Sequence, residues 1–176
     1  GKILQVGAAA RNMLGRTPGN VVAMHPLKNG VISDYEMTVR MLQTLLQSAT
    51  KSSVFTPKPR VVISVPSGVT EVEERTVINA AIEAGARRAY LIEEPLAAAL
   101  GAGMDLKNPN GHMIVDIGGG TTDIAAPSMN AVATSSSLPV AGDAFDEAIA
   151  RFVRQQTGIL IRPTTADASK IPTHPD

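Results

Sequence analysis

Between residues 61 and 101 the chain alternates two β-type runs with two helix-type stretches, an order that few folds accept. Val61-Val62-Ile63-Ser64-Val65 is a nearly unbroken β-branched run, the pattern of a strand covered on both faces in a parallel sheet. Pro66 and Gly68 end it. Thr70 with Glu73 then forms a capping box. Ile78, Ala81 and Ile82 carry an apolar stripe toward Gly85, a residue suited to terminate a helix. Ala89-Tyr90-Leu91-Ile92 predicts the next strand, and Pro95 is well placed to open the next helix. Strand, helix, strand, helix is the βαβ signature, so the expected class is α/β with helices layered on a sheet.

Composition narrows this further. Aromatics make up 3% of the chain and there is no tryptophan, so the core must be aliphatic and alanine-rich, which suits helices on Val/Ile strands better than a sandwich. With 44% hydrophobic and 18% charged residues the 176-residue chain is globular and long enough to bury a core. Sixteen Lys and Arg balance sixteen Asp and Glu, leaving no global field for nucleic acid or an anionic surface. No basic stripe with interleaved aromatics is present, so no nucleic-acid partner is expected. The absence of cysteine excludes disulfides and thiolate metal sites. No apolar run has the length of a membrane span, and no signal-peptide pattern opens the chain. The expected location is cytoplasmic.

The flanks read differently. Residues 1–30 hold short apolar pieces broken by Gly7, Gly15, Pro18, Gly19 and Pro26, which predicts a small loop-rich unit. Ser33 stands three residues before Glu36 in a capping-box spacing, and Val39, Leu42, Leu46 and Ala49 then recur at helical period. Residues 107–111 are a linker by composition. Beyond them, 113–117 reads as a strand, Gly118-Gly119-Gly120 as a turn, 122–126 as a second strand and 131–140 as a weaker third. Asp143 is placed to cap a helix in which Phe145, Ile149, Phe152 and Val153 share a face. Pro163, Pro172 and Pro175 argue against a long helix at the end, and disorder is expected there.

Three clusters could carry chemistry. Asp116, followed by Gly118, Gly119 and Gly120, gives a tight reversal in which N–H groups can converge on an anion, with Thr121 and Thr122 adding hydroxyls. Asp116 could then serve Mg²⁺ through water, since magnesium dehydrates reluctantly. A plain glycine turn explains the same residues. Glu93 and Glu94 fall at a strand-to-helix junction, where open parallel sheets bind ligands and a carboxylate can orient water toward a phosphate; favourable helix-start electrostatics is the alternative. Gly142 and Asp143 offer N–H groups at a helix start, or simply a well-capped helix.

In order and at these distances, Glu94-Pro95-x-Ala97-Ala98-Ala99, Asp116-x-Gly118-Gly119-Gly120-Thr121-Thr122 and Gly142-Asp143-x-Phe145-Asp146 resemble the superfamily of actin, DnaK-type chaperones and sugar kinases. Arg16-Thr17-Pro18, residues 30–35, Lys58-Pro59-Arg60, Leu91-Ile92-Glu93-Glu94-Pro95 and residues 143–149 are similar to the MreB family within it. The likeness runs from about residue 1 to 161. It implies an actin-like (ribonuclease H-like) ATPase fold, incomplete, with a mixed sheet flanked by helices. It divides the chain into a small outer subdomain (1–32), part of the first large subdomain (33–110) and the start of the second (111–176). Asp116 to Thr122 would be the second phosphate loop for ATP and Mg²⁺, Glu94 the residue that positions the hydrolytic water, and Gly142 and Asp143 neighbours of the nucleotide. Val54 and Phe55 fall where the family has an apolar loop that touches the inner face of the cell membrane, although packing onto their own domain is an equal reading. The implied role is a cell-shape filament subunit that self-associates and works with membrane cell-shape proteins. A chaperone or sugar-kinase relative, or an inactive folded fragment, are the alternatives. The short outer unit favours the filament reading over a chaperone. The family's first phosphate loop, its adenosine-contacting glycine motif and its closing helix have no counterpart here, so the chain is expected to hold half of such a site and to be inactive alone.

Overall fold

The computed structural model describes residues 3–14, 16–50, 57–107, 111–129 and 131–170. In chain order these form α1 (Ala8–Met13), β1 (Leu27–Lys28), β2 (Val31–Ile32), α2 (Tyr35–Ala49), β3 (Arg60–Val65), α3 (Glu71–Glu83) and β4 (Arg88–Glu93). They continue as α4 (Glu94–Gly101), β5 (Ile114–Ile117), β6 (Thr122–Ser128), β7 (Ala131–Leu138), α5 (Gly142–Thr157) and α6 (Pro163–Ser169). Val54 and Phe55 lie outside the described residues.

The βαβ expectation is met. β3 and β4 pair in parallel from Arg60 opposite Arg88 to Val65 opposite Glu93, with α3 as the crossover. Thr70 and Glu73 form the capping box in full, each side chain bonding the other's backbone N–H. Gly85 follows the helix at φ 112°, a conformation open to glycine, and the Ala86 amide donates back to Ala81 O at 3.0 Å. The mixed sheet, however, is distributed. Among the described residues the parallel pair is one sheet, β5-β6-β7 is a separate antiparallel meander, and β1-β2 is a two-stranded hairpin.

Coverage of β3 also differs from expectation. α4 packs against β3 and α3 against its neighbour β4, but Val62 is 68% and Tyr90 45% exposed, so a run that reads as doubly covered is covered on one face among the described residues. The stripe on α3 is rotated as well. Ala80, Ala81 and Ala84 are buried while Ile82 is largely exposed, because α2 and β4 approach closely enough to admit only small side chains. Val39, Ala80 and Ala84 form the buried cluster, with Ile32, Leu42 and Leu46 against it; Ala49 stays exposed. The Tyr35 hydroxyl donates to Glu83 Oε2 at 2.8 Å and ties the outer ends of the two helices together.

Helix starts move by a residue or two from the sequence reading. α2 is capped by Asp34, whose carboxylate accepts the Met37 amide at 3.0 Å, while the Ser33 hydroxyl donates to Pro26 O. Both residues are good caps; the one left free by the incoming chain takes the role. In α5 Asp143 sits inside the first turn and Ala141 precedes it, so Asp143 does not cap the helix, and Phe145 and Phe152 are exposed. Residues 163–169 of the tail fold where disorder was expected, while residues 171–176, with Pro172 and Pro175, lie outside the described residues. Pro163 occupies the first turn of α6, where a missing N–H costs nothing, and α6 packs on α5. The loop-rich beginning likewise contains α1, six residues long and too short to show a period.

Asn29 and Gly30 turn the β1-β2 hairpin with φ of 50° and 76°, the both-positive geometry of a type I′ turn. A Cβ at Gly30 would collide with the ring of Pro66 at the end of β3, whereas one at Gly103, also at positive φ, would meet nothing within 4 Å. Gly103→Ala should therefore cost about 1–2 kcal/mol for the left-handed backbone alone. Gly30→Ala should cost clearly more, as read by urea unfolding of both variants; equal losses would show that the Pro66 contact is soft.

Candidate functional site

The glycine turn is the loop of the β5-β6 hairpin. Ile117 pairs with Thr122, and the Gly118 amide donates to Thr121 O at 2.9 Å across residues 118–121. Asp116 lies one step back on β5, half-buried, opposite Asp123 on β6, so both side chains stand on the same face of the hairpin. Glu94 opens α4 at the carboxyl end of β4, as the sequence placed it. Its carboxyl is pushed above the ordinary range, first by burial and then by the charges of Asp123 and Asp116. Glu94, Asp116 and Asp123 thus share one electrostatic neighbourhood, although Glu94 starts the helix that follows β4 while the two aspartates stand on a separate sheet.

Helix α5 is fastened to the loop. The Gly142 amide donates to Gly118 O at 3.1 Å and the Asp143 amide to Gly119 O at 2.8 Å. Those two N–H groups, expected to be free for a phosphate, are therefore already engaged; they hold the loop instead. The Thr122 hydroxyl is engaged too, donating to Val140 O at 2.7 Å, and Thr121 is buried. Among the described residues the amides of Gly119 and Gly120 carry no hydrogen bond, and these are the donors the turn offers an anion. Asp143 still reaches the site by its side chain: a Cβ at Gly119 would lie 3.6 Å from Asp143 Oδ2. Close approach explains Gly120, where a Cβ would sit 3.0 Å from Asn29 Cα. The hairpin tip of β1-β2 is thus a floor for the loop.

Several residues at this site escape a sequence reading. Asp123 is 1% exposed and accepts the Ser67 amide at 3.1 Å; Ser67, itself buried, donates its hydroxyl to Glu93 Oε2 at 2.8 Å. Glu93 is thereby engaged by Ser67. On α5, Asp146 is buried and pairs with Lys170 Nζ at 2.8 Å; Lys170 also meets Asp167 at 3.0 Å and Gly142 O at 3.3 Å. Only the Asn29-Gly30 dipeptide carried a local signal, as the preferred pair of a two-residue hairpin. The others depend on long-range approach.

For a metal, the described residues contain no cluster of three or more His, Cys, Asp or Glu able to hold an ion. One carboxylate at the hairpin fits an ion that keeps most of its water and takes its other ligands from phosphate, which is the habit of Mg²⁺.

The raised Glu94 carboxyl has a consequence for stability. The folded chain holds this proton more tightly than the unfolded one, so the contribution of Glu94 is most favourable below the ordinary glutamate value of about 4.3 and is lost as pH rises through the raised value. Glu94→Gln should raise the melting temperature at neutral pH and leave it unchanged near pH 3.5, where both forms are neutral (roughly one unit below the ordinary value). A Tm difference that persists undiminished in acid would contradict the charge cluster.

A family model described as MreB/Mbl protein matches residues 1–173. The cell shape-determining protein MreB of Escherichia coli (strain K12) is 49% identical over 168 residues, covering 96% of this chain and 48% of the relative. Among solved structures, MreB5 of Spiroplasma citri bound to AMPPNP superimposes with a TM-score of 0.87 at 36% identity, over 99% of this chain and 54% of that one. A MamK double helical filament superimposes with a TM-score of 0.70 at 25% identity, over 86% of this chain and 49% of that one. The chain spans about half the length of the relatives it matches. The α/β layers found here are those of the actin-like fold, and the chain belongs to the MreB/Mbl family.

Proposed function

We propose that this chain forms part of a bacterial actin-like filament subunit for cell-shape maintenance, with one wall of an ATP·Mg²⁺ site on its β5-β6 hairpin. The observation that carries this reading is the approach of Glu94, at the start of α4, to the Asp116 hairpin on which that helix packs. The Gly119 and Gly120 amides would receive phosphate oxygens, and Asp116 would hold Mg²⁺ through water. The metal would neutralise charge on the phosphates. Glu94, partly desolvated and at the helix start, would orient the attacking water. Asp143 and Gly142 would flank the nucleotide through the Asp143 side chain and the loop they anchor. AMPPNP bound to a family member supports nucleotide binding, and the MamK filament supports self-association. The outer unit (1–32), the first large subdomain (33–110) and the start of the second (111–176) would be the parts of the subunit represented here. Among the described residues no helix is long and apolar enough to cross a membrane. A cytoplasmic filament lying at the inner face of the membrane, touching it through Val54 and Phe55 and working with membrane cell-shape proteins, completes the proposal.

Calorimetry with Mg·ATP tests the site. Because one wall is present, binding to this chain should be weaker than to the E. coli relative by roughly tenfold or more, which is about 1.4 kcal/mol. Asp116→Ala should remove only the Mg²⁺-dependent part of the affinity; equal loss with and without metal would refute its role. For the filament, sedimentation and electron microscopy with Mg·ATP should reveal polymer in the family-length protein carrying this segment, and a protein that stays monomeric at all concentrations would overturn the reading.

A further inference from the structure

Ser67 follows Pro66 just beyond the end of β3, and it makes two bonds in two directions, one buried and one half-buried. Its amide is donated to Asp123 on β6 and its hydroxyl to Glu93 on β4. Glu93 is the chain neighbour of Glu94, while Asp123 stands opposite Asp116 on the hairpin. One residue therefore serves as the common reference for both halves of the acidic site. Pro66, Ser67 and Pro95 are all buried around it, so solvent has little access to replace a lost partner. Removing the acceptor would leave the Ser67 amide buried and unsatisfied, whereas an amide side chain in place of the carboxylate would still accept it.

We propose that Asp123 is a positioning residue, a latch that fixes the glycine hairpin at its working distance from Glu94 by holding the Ser67 amide. This rests on the ATP-site reading for its purpose, but the latch itself exists without nucleotide. The two sheets share no strand pairing among the described residues, so this bond joins α4 packing and the β1-β2 hairpin tip, which abuts both Pro66 and Gly120, in setting their relative placement. Asp123 acts through position: it does not touch the phosphates, and its effect reaches Glu94 and Asp116 through the ends of β3 and β4.

Amide hydrogen exchange of the nucleotide-free chain, resolved by NMR, tests the latch. In the unmodified chain the Ser67 amide should be among the slow ones; exchange at the rate of an open loop would overturn the proposal without any variant. Asp123→Ala should speed exchange at Ser67 and in residues 116–122 roughly tenfold, while the amides of Val39 and Ala80 in the α2-α3 core stay as they were. Asp123→Asn, which keeps an acceptor, should retain most of the protection. Uniform acceleration across the chain, or equal losses in the Ala and Asn variants, would refute a positioning role. The same spectra with Mg·ATP added separate the two claims: slowing at Gly119 and Gly120 supports the nucleotide site, and no response there with the latch pattern intact would sink the ATP reading and leave the latch standing.

Discussion

Everything at the site depends on how closely α4 can lie between two sheets. Its interior is alanine, at positions 97 to 99, and Ala99 and Pro95 are buried. The helix touches β3 and β4 on one side and β5 and β6 on the other. Larger side chains there would force the sheets apart, and the acidic residues that meet around Glu94 would separate with them. Packing of small residues is thus what creates the electrostatics. Burial of Glu94 in this packing raises its carboxyl first, and the charges of Asp123 and Asp116, brought near because no bulk intervenes, raise it further.

Much of this was legible in the sequence because it is local. The β-branched run at 61–65, the Thr70/Glu73 box and the proline at 95 each specify backbone geometry over a few residues, and the parallel pair with its crossover follows from them. Glu94 and Asp116 were locatable by motif because they stand at strand ends. What could not be read is whatever depends on approach between distant segments. Nothing near Asp123 indicates that it is buried against Ser67, fifty-six positions earlier in the chain. The face of β3 that carries Val62 reads as buried because a β-branched run cannot say how many layers will cover it. α6 begins at a proline, and proline reports both helix starts and helix breaks. Its partners, Asp146 and the start of α5, decided which.

The glycines show how one residue type carries separate duties. In the motif Gly118 to Gly120 the expectation was access for a phosphate. The structure divides the work: Gly120 clears the backbone of Asn29, Gly142 clears the Gly118 carbonyl, and the glycine amides left open are those of Gly119 and Gly120, beside that of buried Thr121. Substitution at Gly120 would thus disturb the junction with the β1-β2 hairpin as well as the loop, so loss of nucleotide affinity there would not by itself identify a ligand contact.

The two bonds from the start of α5 to the loop carbonyls have a mechanical side. Helix α5 runs sixteen residues from Gly142 to Thr157, about 24 Å at 1.5 Å per residue. It is a stiff rod pinned at one end to the glycine turn of the β5-β6 hairpin. Any shift of the Gly118 and Gly119 carbonyls would tilt such a rod, with the displacement largest at its far end, where Gly158 closes the helix. Helix α6, clamped to the near end through Lys170, travels with the pivot instead of the tip. The loop and its helix form a lever whose short arm lies at the site and whose long arm reaches the surface.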